Sequence, residues 1–533
     1  MEQEHPGRIV RAAGVVSGAT LLSRILGFTR DLIIARAFGA GTATDAFFAA
    51  FRLPNMLREL LGEGALSAAF IPVFTESFRT RGREGAWRLA WTVFTMLVLL
   101  LLAVSSVGIV LAPWLIRLIA PGFQAVPSKL DLAVYLTRLM FPYILFIGVA
   151  ALFMAILNSQ GHFATPALSS SMLNIAMIGC ALYLTPYVNP PILALTIGVL
   201  IGGVGQLLIQ IPAIWRRSKG TQWGIDVSDP AIRRITRLMT PGIAGLAITQ
   251  VNVFVGTLLA SLMGEGGISV LYYAFRLIQL PIGLFGVAIA TAAFPTMARQ
   301  AANRSLGEVA ATVAYAIRLV LFVTLPSMVG LMVFRVQIIQ LLFERGAFDR
   351  TVTLATAEVV LFYAFGLGAY VSNRILVPAF YSLQDTATPV KIGMVAVMVN
   401  IIASLLLMRP LGLAGLALAT TLSSFVNLGL LLMALQRRLG RLNGLRIRSL
   451  MQIAAAAALM ALIALSLIHL RDPLTVEPSL RRAAVLTVEF VISVTAFVAA
   501  AACMGSDELR GLLRWLIGRR RRIEEAPSGE DFH

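Results

Sequence analysis

Fourteen apolar stretches, each long enough to cross a hydrocarbon layer as a helix, follow one another along the 533 residues of this chain. They run approximately over 10–38, 44–77, 87–112, 129–158, 164–184, 191–215, 230–262, 268–299, 308–334, 351–382, 388–408, 413–436, 449–469 and 482–503. A helix needs about 20 residues to cross the bilayer, and several stretches exceed that, so tilt or extension beyond the membrane is expected. Inside hydrocarbon every backbone N–H and C=O must find its partner within the chain, which at these lengths means helices. The expected fold class is an all-α polytopic membrane protein with 14 transmembrane helices. Composition agrees, with hydrophobic residues at 58% and charged residues at 13%, about half the charge of an ordinary soluble domain.

Charges are nevertheless threaded through the first two spans. Arg24, Arg30, Asp31, Arg36, Asp45, Arg52, Arg58, Glu59 and Glu63 all lie between Leu21 and Pro72. With the first span entering near Val10, Arg24 lies about 21 Å deep at the helical rise, near the middle of a core about 30 Å thick. Arg58, counted inward from Asp45, lies about 20 Å deep. A cation at mid-membrane costs about 2.5–3.5 kcal/mol on insertion scales, so it needs a partner or a wet cavity. Asp31, seven residues from Arg24 and on nearly the same helical face, and Glu63 are both available partners. For Arg36 and Arg52, snorkelling to headgroups or a structural ion pair explains the charge as well as a cavity does. Pro54-Asn55 and Gly62-Glu63-Gly64 weaken the second span, and such breaks survive at membrane depth where they line a cavity or pack on protein. The residues thus point to a cationic, water-accessible cavity that receives an anionic group.

The net charge of +18 does not indicate nucleic acid once its distribution is followed. With the N-terminus inside, the basic residues gather in inner segments: Arg79 to Arg88, Arg216 to Arg237, Arg437 to Arg448 and Arg510 to Arg522. Positive residues favour the cytoplasmic side, so both termini are placed there, and the Arg519 to Arg522 run is expected to face anionic phospholipids. None of the three lysines, Lys129, Lys219 and Lys391, follows a glycine, so there is no phosphate-binding loop of the Walker type. Cys180 and Cys503 lie in apolar runs, and the four histidines are scattered, so neither a disulfide framework nor a metal site is implied. No cofactor is expected.

The chain also repeats itself. Leu66-Ser-Ala-Ala-Phe70 with Pro72 matches Ala290-Thr-Ala-Ala-Phe294 with Pro295, Phe51-Arg52-Leu53 matches Phe275-Arg276-Leu277, and Ala164-Thr165-Pro166 matches Ala387-Thr388-Pro389, at offsets of 223 or 224. The copies begin an even number of crossings apart, which predicts two parallel six-helix lobes, the plan of alternating-access carriers. The expected division is 1–220 for the first lobe, 221–440 for the second, 441–505 for two further helices and 506–533 for a basic cytoplasmic tail. Arg276, about 14 Å deep by helical rise, is the second lobe's contribution. Together with Arg24 and Arg58 it supplies guanidinium groups suited to bidentate contact with phosphate oxygens.

The segments SRILGFTRD (23–31), FGAGTATDAFFAAFRLPN (38–55), EGALSAAFIPVF (63–74) and YYAFRL (272–277) resemble the MurJ/MviN lipid II flippase family of the multidrug/oligosaccharidyl-lipid/polysaccharide exporter superfamily. The resemblance covers essentially the whole chain. It implies movement of lipid II, an undecaprenyl-diphosphate-linked peptidoglycan precursor, from the inner to the outer leaflet of the bacterial cytoplasmic membrane, by a protein that works as a monomer. Carried over by position, Arg24, Arg58 and Arg276 hold the diphosphate, with Arg30, Asp31 and Arg52 in the same first-lobe network. The same transfer places Asp45 at the outer gate, Glu63 at the kink of span two and Ser269 near the outer end of span eight, and gives spans thirteen and fourteen a groove for the polyprenyl tail.

Some members of the superfamily couple transport to ions through carboxylates of the second lobe. Here Asn252, Asn400, Ser404, Thr420 and Thr421 are neutral, which lacks the charged ligand a hard cation favours. Membrane potential is therefore the expected bias on the cycle. The alternative substrate is another undecaprenyl-diphosphate-linked saccharide. A drug exporter of cations would want carboxylates rather than deep arginines. An enzyme acting on the same lipid would need a nucleophile or general base facing the cavity, and repeat and kinks suit movement better, so no catalytic activity is expected.

Overall fold

The computed structural model describes residues 6–60, 66–221, 224–440, 442, 444–470, 479–512 and 514. Among the described residues the regular structure is helical throughout: α1 (Pro6–Phe38), α2 (Thr42–Leu60), α3 (Leu66–Thr80), α4 (Gly82–Ile119), α5 (Pro127–Met140), α6 (Tyr143–Ser159), α7 (Ala164–Gly179), α8 (Leu193–Leu208), α9 (Ile211–Ser218) and α10 (Pro230–Ser261). These are followed by α11 (Gly267–Pro281), α12 (Val287–Ala302), α13 (Leu306–Val333), α14 (Arg335–Leu342), α15 (Arg350–Phe365), α16 (Leu367–Ser382), α17 (Ala387–Leu439), α18 (Ile447–His469) and α19 (Ser479–Cys503). Nine helical stretches among the described residues are long and apolar enough to cross a membrane, ten when the pair α15–α16, bent by 45°, is included. The other expected spans fall on α1, α2–α3 and α10, and on α17, which carries two. Unbroken, its 53 residues would run about 80 Å; Gly412, at φ 56 and ψ −132, divides it. Fourteen crossings are consistent with this order, and the chain is a multi-pass membrane protein.

Two compact units emerge. The first comprises residues up to Tyr273 with Phe343–Val352, the second Ala274–Leu342 with the chain from Thr353 onward. The division falls within α11, between Tyr273 and Ala274.

In the first unit an aromatic ladder fills the core. Phe70 stacks on Phe74, Phe74 meets Trp87 edge-on, and Trp87, Trp91, Phe94 and Phe153 continue the series. Residues of α3, α4 and α6 supply it because their apolar positions recur on single helical faces. The return of Phe343–Val352 is fixed by α1. Gly39, at φ +63, ends that helix, and the N–H of Ala347 donates to the carbonyl of Arg36 at 2.9 Å, satisfying one of the orphan carbonyls of its last turn. A Cβ on Gly39 or Gly346 would lie 2.3–2.4 Å from the backbone of the other segment, so only glycine permits this approach. In the second unit Phe322, Ile453, Met460 and Phe497 join α13, α18 and α19. Large apolar side chains such as Leu99, Val110 and Trp114 remain exposed, as expected for a surface whose solvent is lipid.

Of the two expected breaks in span two, only the first falls among the described residues. Helix α2 runs through Pro54 without interruption, while Gly62-Glu63-Gly64 lies outside the described residues. The functional expectation for Glu63 likewise falls outside them.

Candidate functional site

The first unit holds a buried carboxylate at the meeting of α2, α5 and α11. Asp45 stands in the first turn of α2 and is fully buried. Lys129 Nζ approaches its Oδ2 at 2.7 Å. The N–H of Gly266 donates to the same oxygen at 2.8 Å, while the N–H and Oγ of Ser269 donate to Oδ1 at 2.9 and 2.6 Å. A buried anion is tolerable only when paired and hydrogen-bonded, and the start of α11 adds the positive end of a helix dipole. Lys129 is itself buried, with its ammonium 4.5 Å from the centre of the Phe123 ring. The arrangement is reciprocal. Asp45 on α2 accepts from the start of α11, and Glu265, just before α11, accepts from the N–H and Oγ1 of Thr42 at the start of α2, at 3.0 and 2.9 Å. The bonds from the Thr42 hydroxyl and N–H hold the Glu265 carboxyl below its ordinary range.

A second knot lies along α1. Arg30 donates to Asp31 Oδ1 through Nε at 3.0 Å and Nη2 at 2.7 Å, to Asn174 Oδ1 at 3.1 Å and to the Tyr272 hydroxyl at 3.1 Å. Tyr272 in turn donates to Asp31 Oδ1 at 3.2 Å and stacks on Phe48 with ring centres 4.0 Å apart. Arg30 and Asp31 are both buried. Asp31 is therefore committed to Arg30 and Tyr272; as a partner for Arg24 it is replaced by a nearer guanidinium on its own helix. Asn174 also donates to the carbonyl of Ser23, tying α7 to α1 beside Arg24.

Arg24 itself is exposed, and among the described residues no side chain or backbone group pairs with its guanidinium. One turn before it, Thr20 lines a cavity of about 300 Å³ together with Val16, Arg58, Asn158, Ser169, Ser170, Gln206 and Gln210. Residues four apart share a helical face, so Arg24 stands next along the stripe that forms this wall. Arg58 is half-buried, donates from Nε to Asn55 Oδ1 at 3.1 Å, and has Glu59 at 3.9 Å. Glu59 is drawn off by Gln250, which donates to its Oε2 at 2.6 Å, and by Asn55, which donates to Oε1 at 2.9 Å. Arg52 is half-buried on α2.

The first unit thus brings together Arg30 with Asp31, Asp45 with Ser269, and Arg58 with the cavity beside Arg24. Arg276 belongs to the second unit, where its Nη1 donates to Gln279 Oε1 at 3.0 Å without being neutralised by that amide. Of the neutral residues of the second unit, Asn400 donates to Thr420 at 3.2 Å and Thr421 to the carbonyl of Phe362 at 2.7 Å. Four participants escaped sequence reasoning: Lys129, Asn174, Glu265 and Tyr272. Lys129 carried a signal, as one of only three lysines and sited at the start of an apolar run; Tyr272 sits inside the YYAFRL motif. Asn174 and Glu265 had no pattern to mark them.

The family model for the lipid II flippase MurJ matches residues 34–482 of the chain. A relative in Vibrio cholerae, described as a probable lipid II flippase MurJ, is 37% identical over 435 residues, covering 80% of this chain and 82% of that protein. The lipid II flippase MurJ of Burkholderia cenocepacia is 34% identical over 434 residues, covering 81% of this chain and 84% of that protein. Among solved structures, a lipid II flippase MurJ in an inward closed conformation superposes with a TM-score of 0.76 at 27% identity, over 91% of this chain and 98% of that one. An inward-facing multidrug transporter of the MATE family, at 15% identity and a TM-score of 0.66 over 81% of this chain and 99% of that one, shares the fold.

Proposed function

From the premise that the chain belongs to the MurJ lipid II flippase family, we propose that it carries lipid II from the inner to the outer leaflet of the bacterial inner membrane. Both termini lie in the cytoplasm in this reading, as the positive-inside distribution favours. Transport proceeds by alternating access of the two lobes, and no bond of the substrate is made or broken.

The observation that carries the proposal is Arg24. It is an exposed cation on an apolar helix, paired with nothing among the described residues, one turn from a cavity whose wall carries Arg58. A guanidinium held this way at membrane depth is set for an anionic ligand, and the two oxygen-rich groups of a diphosphate match bidentate recognition. Arg276 is the second lobe's contact in the same reading. Arg30, Asp31 and Arg52 act as the supporting charge network rather than as first contacts, since Arg30 and Asp31 are already satisfied by each other, Asn174 and Tyr272.

Asp45 and Ser269 act as the outer gate. In the state described here the carboxylate holds the start of α11 through Gly266 and Ser269; outward opening separates α2 from α11 and exchanges those three bonds for water. Lys129, on α5, stays with Asp45 and spares it the full cost of an unpaired charge. Glu63 contributes to the conformational change of span two, and the helices α18 and α19 accommodate the polyprenyl tail. Membrane potential, acting on the charged first lobe, biases the cycle.

The test is complementation in a bacterium depleted of its own lipid II flippase, reading lipid II exposed on the outer leaflet with an impermeant label. Restored labelling that disappears with Arg24→Ala, the variant being present in the membrane, is the expected result. Labelling that persists with Arg24→Ala overturns the role of the cation. No labelling from a membrane-inserted wild-type chain moves the substrate to another undecaprenyl-diphosphate-linked saccharide. Transport undiminished with the potential collapsed and a sodium gradient kept overturns the potential-driven cycle.

A further inference from the structure

A second cavity of the first unit, about 530 Å³, is walled by three helical stripes: Trp91, Phe94 and Val98 of α4, Val149 and Phe153 of α6, and Trp215 of α9 with its neighbours. Apart from the indole N–H groups of Trp91 and Trp215 and the hydroxyl of Ser218 at one end, its lining side chains are hydrocarbon. That end is cationic. Arg216 and Arg217 stand between Trp215 and Ser218, both of which line the groove. Arg88 lies one turn before Trp91 on the stripe that forms the α4 wall. Arg83 donates to the carbonyls of Arg217 and Lys219 at 2.7 and 3.0 Å and so draws this end of α4 against the end of α9.

Of the carboxylates nearby, Asp229 is paired with Arg81 and Asp226 accepts from the N–H and hydroxyl of Ser228; Glu84, on the first turn of α4, is exposed and makes no ion pair among the described residues, so the three basic side chains outnumber the one open carboxylate. Among the described residues, the side chains of Arg88, Arg216 and Lys219 make no ion pair or hydrogen bond, and all three are exposed. A groove that is apolar along its length and cationic at one end is complementary to an amphiphile with an anionic head and a hydrocarbon chain. Trp91 and Trp215 near the basic end have the amphipathic rings that favour the headgroup level. The basic end is also the end that the positive-inside distribution places in the cytoplasm, where the leaflet carries anionic lipid.

We infer that this groove is a binding site for an anionic glycerophospholipid of the inner leaflet, with one acyl chain between α4, α6 and α9 and the phosphate at Arg88, Arg216 and Lys219. The site is independent of the substrate reading, since it uses none of Arg24, Arg58 or Arg276. Its role is to hold the short amphipathic helix α9 against α4 and α6 at the membrane surface.

The test uses the full chain in phosphatidylcholine nanodiscs titrated with dioleoyl phosphatidylglycerol, reading bound lipid by native mass spectrometry and the thermal unfolding midpoint. Phosphatidylglycerol is expected to bind and to raise the midpoint where added phosphatidylcholine does not. Each basic residue near an anionic surface is worth about 1 kcal/mol, so Arg216→Gln with Lys219→Gln should weaken binding about thirtyfold. Both residues are exposed, so this variant keeps the fold. Val98→Phe, filling the groove, should displace the lipid while leaving the basic end intact. Equal effects of the two lipids on the wild type would overturn the inference. So would a phosphatidylglycerol effect surviving both variants, which places that lipid elsewhere. Displacement of phosphatidylglycerol by equimolar undecaprenyl phosphate would assign the groove to the polyprenyl tail instead and equally overturn it.

Discussion

The two charged regions of the first unit differ in one physical respect. At Asp45, and again at Arg30 with Asp31, every charge is buried and paired. At Arg24 and Arg58 the cations lie on an exposed helix face and at a cavity wall, and Arg24 has no partner among the described residues. A buried pair is weak evidence of stabilisation over an apolar core, yet removing one member leaves the other as an uncompensated charge and is severe. An exposed cation contributes little to stability and is available to a ligand. The comparison therefore separates groups that hold a conformation from groups we propose to meet the substrate, even though all of them lie within the same two opening helices and their packing partners.

The separation breaks most sharply at Arg24. Arg24→Ala should lower outer-leaflet labelling of lipid II at least tenfold, with the thermal midpoint of the purified protein shifted by no more than about 0.5 kcal/mol in stability, as for an exposed substitution. A large loss of stability in that variant would put Arg24 with the structural charges and collapse the distinction.

Asp45 should behave in the opposite way. Asp45→Ala leaves the Lys129 ammonium buried without its carboxylate and leaves three donors at the start of α11 without their acceptor, so a destabilisation of about 3–5 kcal/mol is expected. Removing both charges, as Asp45→Leu with Lys129→Met, should restore most of it. The difference between single and double variants, read from thermal unfolding in detergent, measures the coupling directly.

Sequence reasoning reached the helical plan and the opening cations, and the physical reasons are plain. Crossing a hydrocarbon layer requires apolar runs of a minimum length, and a cation inside one is conspicuous; Arg24 and Arg58 could be picked out that way. Partners are a different matter. Helical periodicity makes Asp31 an available partner for Arg24, but the choice of Arg30 depends on Tyr272 and Asn174, which are 242 and 144 residues from Arg30. Lys129 stands at the start of an apolar run in the sequence, and only the packing of α5 on α2 carries it to Asp45. Helix α2 passes through Pro54 because proline removes one backbone donor but does not by itself forbid the helix where packing holds it. Local pattern reads span and depth; which charges neutralise one another is decided by tertiary contacts.

The cap exchange between α2 and α11 sharpens the comparison at a smaller scale. Glu265→Gln keeps the shape of the side chain but weakens its acceptance from Thr42, and it should cost about 1 kcal/mol, in the range of a lost helix cap. Because Glu265 is exposed whereas Asp45 is buried, the ratio of the two losses, measured in one detergent, reports how much of the knot's strength comes from burial.

The smallest effect is expected at the far end of α3, where Arg81 pairs with Asp229 at 2.5 Å and Asp229 also accepts from the N–H of Ala231 at the start of α10. Burial pushes the Asp229 carboxyl upward, but the bonds from Arg81 and Ala231 outweigh it and hold the group below its ordinary range. A carboxylate depressed in the folded state stabilises the fold fully above its unfolded value, about 3.9, and loses that contribution as pH falls through the folded value. Arg81 is half-exposed, so solvent screens the pair and the contribution is under about 1 kcal/mol. Between pH 6 and pH 3 the wild type should therefore lose slightly more stability than Asp229→Asn. The same comparison at 1 M salt should shrink, since screening acts on this exposed pair and reaches the buried Asp45 and Lys129 much less. An acid-labile difference that is indifferent to salt would instead place Asp229 among the sealed charges.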